Sequence, residues 1–147
     1  MIPEEIAEKS AAAMWARDDA SRWVGMELVE VAPGRAVTAL TVAAHHTNGQ
    51  DICHGGVIFS LADSAFAFAC NSYNKTAVAQ HNMISFIAPG MTGDRLTAEA
   101  REVSLRGRSG IYDVRVTRDD GALIAEMRGC SRIIPGTHFD LTDADET

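Results

Sequence analysis

The sequence predicts an α+β domain in which an antiparallel sheet wraps around one long central helix, with an extra helix at the N-terminus. Three observations carry this. Runs of period-two alternation are joined by tight-turn signals and not by helices, which argues against βαβ units. The segment Val57–Cys70, wound as a helix, is apolar on almost every side, and such a helix is buried on all sides. In the order helix, two strands, apolar helix, four strands, a curled sheet is the simplest cover for that helix.

Each element has its own signal. Pro3 to about Ala20 reads as one helix: Pro3 suits a first turn, and Glu4 and Glu5 suit the positive end of the dipole. Ile6, Ala13 and Met14 give it only a weak apolar stripe. The period then falls to two. Met26 to Val31 leads into Pro33-Gly34, a type II turn signal, and Arg35 to Val42 returns as a strand. His45 to Cys53 is polar, contains Asn48-Gly49 and reads as a loop.

After the apolar helix four strands follow. Thr76 to Ile87 closes at Pro89-Gly90. Arg95 to Val103 puts Leu96, Ala98 and Ala100 on one face and is ended by Gly107. Tyr112, Val114 and Val116 share a face before the hairpin signal Asp119-Asp120-Gly121. Finally Leu123, Ala125 and Met127 alternate with Ile124, Glu126 and Arg128, and the strand runs toward Ile134.

The 147 residues suffice for one domain. Residues 1–22 are read as the N-terminal helix, 23–136 as the main domain and 137–147 as a solvated acidic tail. Apolar residues make up 46 % of the chain, but 23 of them are alanine and only 6 % of the chain is aromatic, a core thin enough to point to self-association. The net charge of −7 repels phosphate backbones and argues against nucleic acid as a partner. The acidic first ten residues lack the apolar core of an export signal, and the Val57–Cys70 window is too short to span a bilayer. Cys53, Cys70 and Cys130 form no CxxC pair. The expectation is a reduced, cytoplasmic protein without a membrane partner.

The chemistry gathers on the apolar helix. Asp63 sits in its middle, and a buried carboxylate is costly unless it is paired, hydrogen-bonded or neutralised. Such a group is either structural or kept in a cleft for chemistry. Ser60 and Ser64 flank it as candidate hydrogen-bond partners. At the helix entry, Cys53-His54-Gly55-Gly56 offers free N–H groups and room for close approach. From Gly55 to Asp63 the helix rises ~12 Å, too far for both to grip one carbonyl. Two copies packed antiparallel bring Gly55 of one against Asp63 of the other, which points to a symmetric dimer.

These residues carry a family resemblance. Asn48…His54-Gly55-Gly56-Val57-Ile58-Phe59-Ser60-Leu61-Ala62-Asp63-Ser64-Ala65-Phe66-Ala67, with Phe86-Ile87-Ala88-Pro89-Gly90…Gly93-Asp94-Arg95-Leu96 further on, resembles the signature of hotdog-fold acyl-CoA thioesterases. It is most similar to their PaaI subgroup, the phenylacetic-acid-degradation thioesterases, from about Val24 to Ile134. The resemblance implies dimers at least, usually dimers of dimers, with active sites at the dimer interface. It implies Asp63 as the catalytic carboxylate, Gly55 as the donor whose backbone N–H polarises the thioester carbonyl, and Asn48 as the polar residue opposite, with Asn48 and Gly55 from one subunit and Asp63 from its partner. His54, Gly56 and Ser64 become substrate-binding candidates. The implied substrates are phenylacetyl- or hydroxyphenylacetyl-CoA, with no cofactor, since coenzyme A is part of the substrate.

In physical terms, Gly55 N–H and the helix dipole would meet the charge that develops on the thioester oxygen. Asp63 would either deprotonate water or attack directly to give a mixed anhydride, and the sequence leaves both open. Coenzyme A carries phosphates, so a net-acidic protein needs local positive charge. Arg106 and Arg108, which bracket Gly107, are candidates, as is Arg132.

Two other readings compete: a hotdog hydratase or dehydratase using His54 with Asp63, and a non-catalytic acyl-CoA-binding module. His45, His46 and His54 lack further ligands for a metal. Cys53-His54 is not a nucleophile–base pair, because adjacent side chains point apart. His81, on a face with Met83, Ser85 and Ile87, is an ordinary strand histidine or a wall of the acyl pocket.

Overall fold

The computed structural model describes residues 1–144; Asp145 and Glu146, part of the expected acidic tail, lie outside the described residues. The N-terminal stretch forms two helices where the sequence predicts one. Helix α1 (Pro3–Trp15) stops, and α2 (Asp19–Val24) starts afresh. The cause is Asp18, whose carboxylate caps α2 by accepting the Ser21 N–H at 2.9 Å. An N-cap residue has non-helical backbone, so the two helices cannot be continuous through it. Arg22 then donates to the Trp15 and Ala16 carbonyls at the end of α1 and fixes the corner.

Strands β1 (Glu27–Ala32) and β2 (Arg35–Thr41) form the hairpin expected around Pro33-Gly34, with Gly34 at φ +68° as a type II turn requires of its third residue. A 3₁₀ turn (Ala44–His46) and the loop to Cys53 lead into α3 (Gly55–Cys70). Then come β3 (Ala77–Phe86), β4 (Arg95–Arg106), β5 (Ser109–Arg118) and β6 (Leu123–Ile133). All six strands join one antiparallel sheet in the order β1-β2-β4-β5-β6-β3. The sheet wraps α3, which contacts every strand, and this is the hotdog arrangement.

The inner face of the sheet is the one the alternation marks. Leu96, Ala98, Ala100, Val114, Val116 and Met127 are buried beneath α3. Alanines on this face bring the helix close, and Thr38 Oγ1 reaches it, donating to the Leu61 carbonyl at 2.9 Å. Phe66 lies over Gly129, where a Cβ would stand 2.8 Å from its ring.

Two expectations change. Ile124, which the alternation sets on one face with Glu126 and Arg128, is fully buried with its neighbour Ala125. Val116 pairs with Ala125 and Thr117 with Leu123, so Ile124 is the extra residue of a bulge and turns inward. Helix α3 is not buried all round within one chain either. Leu61, Ala62, Ala65, Phe66 and Ala69 face the sheet, while Val57, Phe59, Ser60, Asp63, Ser64 and Ala67 are only partly covered. Six strands cover one side of the helix, α2 touches the other, and a stripe stays open.

Strand β3 is a free edge, and Met83, Phe86 and Ile87 beside it are exposed apolar side chains. It too carries a bulge: Ala79 pairs with Ser131 and His81 with Cys130, leaving Gln80 as the extra residue. The alternation flips there. Downstream of Gln80 the inward positions are Asn82, Ile84 and Phe86, while His81, Met83 and Ser85 stand on the outer face.

Beyond the sheet, residues 137–139 are fastened to the end of α3. Asn74 Oδ1 accepts the His138 and Phe139 N–H groups, and His138 Nε2 bonds to Asn71 Oδ1 at 2.8 Å.

Candidate active site

Four N–H groups at the start of a helix lack intrahelical acceptors. In α3 three of them are satisfied. His54 N–H donates to the His46 carbonyl, Val57 N–H to the His54 carbonyl, and Gly56 N–H to His54 Nδ1 at 2.8 Å. Among the described residues Gly55 N–H has no acceptor. It opens into a cavity of about 380 Å³ shared by Asn48, Ile52, Phe86 and Ile87. Phe86 forms its wall: a Cβ at position 55 would lie 3.2 Å from the ring. The positive end of the α3 dipole and one free donor therefore meet in a partly apolar hollow, an arrangement suited to a developing oxyanion.

The loop before α3 fixes this geometry. Asn48 N–H donates to the Ile52 carbonyl at 2.8 Å, and Asn48 Oδ1 accepts from Gln50 N–H at 2.9 Å. Its Nδ2 is left without a protein partner among the described residues. His46 is buried, with Nδ1 accepting from Ala43 N–H and Nε2 donating to the Val24 carbonyl, and its own carbonyl accepts His54 N–H. His46 therefore serves the backbone, and His45 is exposed with its ring against that of His46.

His54 is the N-cap of α3. Because Nδ1 accepts from Gly56, the ring carries its proton on Nε2. Gly56, expected at the substrate, has its N–H committed to this cap. Cys53 is buried, and burial pushes its thiol up to about 11, so it is no nucleophile.

Asp63 faces a different hollow. A cavity of about 290 Å³ between α2 and α3 is lined by Ala20, Ser21, Val24, Phe59, Asp63 and Ala67, among others. Burial holds the Asp63 carboxyl above the usual range, against a hydrogen bond from Asn82 that lowers it. Asn82 Nδ2 donates to Asp63 Oδ1 at 2.9 Å. The expected partners Ser60 and Ser64 bond elsewhere: Ser60 back to the Gly56 carbonyl, Ser64 to Ser21 Oγ, which itself donates to Asp18 Oδ2 at 2.6 Å. Ser60 bonds to the preceding turn of its own helix, as helical serines readily do, while Ser64 is drawn to α2. Asn82 is the partner sequence reasoning misses. Only the Gln80 bulge turns it inward, and no residue pattern announces that bulge.

His81 lies on the exposed outer face and lines neither cavity. Arg106 and Arg108 are exposed and flank Gly107 at φ +61°. Arg132 lies in the same row as Arg106, both registered with Ser109. Seven of the eleven arginines pair with carboxylates; among the described residues, Arg106, Arg108 and Arg132 make no ion pair. Nor, among the described residues, do three His, Cys, Asp or Glu side chains gather to hold a metal, and no helix is long and apolar enough to cross a membrane.

Comparison with known proteins fits this architecture. Residues 50–125 match the thioesterase superfamily. The chain is 40 % identical over 131 residues to acyl-coenzyme A thioesterase PaaI of Escherichia coli K12, covering 89 % of this chain and 94 % of that one. The solved structure of E. coli PaaI, from the phenylacetic acid degradation operon, superposes with a TM-score of 0.91 at 39 % identity, over 92 % of this chain and 99 % of that one. A variant of the phenylacetic acid degradation protein PaaI from Thermus thermophilus gives a TM-score of 0.77 at 36 % identity, over 80 % and 100 %. The chain belongs to the thioesterase superfamily, in its hotdog fold. It is a thioester hydrolase of the acyl-CoA thioesterase class.

Proposed function

We propose that the enzyme hydrolyses aryl-acyl-CoA thioesters, of the phenylacetyl- or hydroxyphenylacetyl-CoA kind, to the free acid and coenzyme A. The observation that carries the mechanism is the unpaired Gly55 N–H at the start of α3, with the Asp63 carboxylate two turns further on. The thioester carbonyl accepts from Gly55 N–H. Asp63 acts as general base: it takes a proton from water as the hydroxide adds to the carbonyl carbon. The oxyanion gathers at Gly55, the tetrahedral species expels the thiolate of coenzyme A, and the proton held on Asp63 passes to that sulfur. Asn48 Nδ2 binds the water or the substrate from across the cavity.

Two chains make each site, Asn48 and Gly55 from one and Asp63 from its partner; the support for this is that Asn48 and Gly55 line one cavity of the chain and Asp63 the other. The free β3 edge and the open stripe of α3 supply surface for that partner, and dimers pair into a dimer of dimers. The unpaired Arg106, Arg108 and Arg132 hold phosphates of coenzyme A. His54 and Ser64 act at the substrate through position, His54 by capping α3 and Ser64 by anchoring α2 beside the acyl group. No cofactor takes part, and the enzyme works in the cytoplasm.

The test is thiol release from a panel of aryl- and alkyl-CoAs with the wild type and Asp63→Asn. Preference for aryl substrates is expected, with hydrolysis lost in the variant while fold and oligomer persist. Wild-type turnover by Asp63→Asn overturns the assignment.

A further inference from the structure

Asn82 is an odd residue for its place. The inward positions of strand β3 are otherwise Ala77, Ala79, Ile84 and Phe86, and the Gln80 bulge turns the polar position 82 toward α3 among them. There Asn82 stands opposite Gly129, in the row that runs through Tyr112 to Glu102. Its Nδ2 lies 2.9 Å from Asp63 Oδ1. Its own Oδ1 is buried and has no hydrogen-bond partner among the described residues. A side chain selected for packing alone would leave no buried carbonyl unsatisfied, since that is costly and rare. Bulges beside active sites commonly re-aim one side chain, and the side chains re-aimed here are Asn82 toward Asp63 and Phe86 toward Gly55.

We infer that Asn82 is a positioning residue for Asp63: its amide N–H holds Oδ1, so that Oδ2 alone is left in the α2–α3 cavity to accept the proton of the attacking water. This rests on Asp63 being the base. With one oxygen pinned, the carboxylate cannot turn about its χ2 axis, and the free oxygen keeps one direction. The amide also donates to the charged form of Asp63, and among the described residues no cation forms an ion pair with it instead. From α2 the facing titratable group is Asp18, bonded to Ser21. Along α3 it is Cys70, whose thiol burial pushes up to about 12 and which stays neutral. From β5 it is Tyr112, whose hydroxyl lies 3.1 Å from Glu102. From β3 no titratable group faces it among the described residues, since Asn82 is a neutral amide and His81 is exposed on the outer face. Asn82 thus favours the ionised base where its surroundings oppose it.

The experiment compares pH profiles of kcat and kcat/KM for the wild type, Asn82→Leu, Asn82→Ala and Asn82→Asp, with thermal unfolding of each and Asp63→Asn alongside. In the leucine and alanine variants kcat is expected to fall at least about tenfold with KM little changed, as for a misplaced general base. The acidic limb of the profile should move to higher pH, and further still in Asn82→Asp, where two carboxylates share the site. The alanine variant, which cannot overpack, covers the case in which leucine does not fold. A loss of melting temperature with the acidic limb unmoved would make Asn82 structural and overturn the inference. If Asp63→Asn is inactive while the Asn82 variants keep the wild-type profile, the inference fails and the assignment of the base stands. If Asp63→Asn remains active, both fall.

Discussion

Gly55 and Asp63 stand on one helix and open into different cavities, the first with Asn48 and Phe86, the second with Phe59 and the inner side of α2. Helix rise separates them by ~12 Å. Neither hollow is lined by both Gly55 and Asp63. On the proposed two-chain site, a second chain laid antiparallel along α3 would complete both at once, by the two-fold symmetry common to soluble oligomers.

Gly55 is the first residue of α3, and His54 before it has φ −59° and ψ 135°, a conformation that tolerates a following proline. Gly55→Pro therefore deletes one N–H while preserving the helix start, where proline is favoured. Loss of a single oxyanion donor typically lowers kcat about 10²–10³-fold, and that loss is expected here. Gly55→Ala is the control. It adds a Cβ against Phe86, as proline does, but keeps the N–H, so kcat should fall less than about tenfold. Steady-state thiol release measures both, and equal losses in the two variants would show that Phe86 crowding, not the donor, matters.

Mixing tests whether the site is shared. Chains carrying Gly55→Pro and chains carrying Asp63→Asn are each expected to retain little activity alone. In a mixed dimer one site collects both defects and the other is intact. Refolding or co-expression at equal amounts gives half mixed dimers, so activity should return to roughly a quarter of wild type. No recovery would mean that donor and base act within one chain.

The sheet, its turns and the buried helix are legible in the residues because alternation and turn chemistry are local. Leu96-Ala98-Ala100 and Tyr112-Val114-Val116 face inward as their spacing requires. Features that depend on a bulge are not legible. One extra residue at Gln80 decides that Asn82 and Phe86 face α3, and one at Ile124 buries a side chain that alternation sets with Glu126 and Arg128. The break at Asp18 is hidden for a similar reason: Asp18-Asp19 reads equally well inside a polar helix face or as a cap. Asp63 stands out because a lone carboxylate in an apolar helix has few innocent explanations. Its hydrogen-bond partner lies on β3, out of reach of any local pattern.

Burial holds the Asp63 carboxyl above the ordinary range, so its charged form is disfavoured by the fold. A group with a raised folded pKa stabilises most below its unfolded pKa and loses that contribution as pH rises through the folded value. At neutral pH the wild type carries this cost and Asp63→Asn does not. The asparagine can still accept from Asn82. The variant should therefore melt at the same or a higher temperature than wild type at pH 7, and the difference should close as pH falls below about 4, where the unfolded carboxyl is protonated. Thermal unfolding across pH reads this. A variant that is less stable at pH 7 would mean that the carboxylate is a structural anchor.

Arg106, Arg108 and Arg132 are the last element to test, because an acidic enzyme must attract a polyanionic substrate somewhere. Their guanidinium groups share the outer end of β4, β5 and β6 and have no carboxylate neighbours within ion-pair distance among the described residues, unlike Arg101, Arg115 and Arg128 further along the same strands. A charge-assisted hydrogen bond contributes about 1.5–3 kcal/mol, so losing even one phosphate contact raises KM about tenfold. Reversal of all three to glutamate is expected to raise KM for acyl-CoA by at least that much, with kcat nearly unchanged. Salt should weaken wild-type binding more than binding by the variant, since exposed charges are screened. Reversing Arg101, Arg115 and Arg128 instead makes the same change in net charge without touching the unpaired cluster. If that control raises KM equally, the effect is the field of the whole molecule; if only the first set does, the phosphates bind at the end of the sheet where these arginines stand.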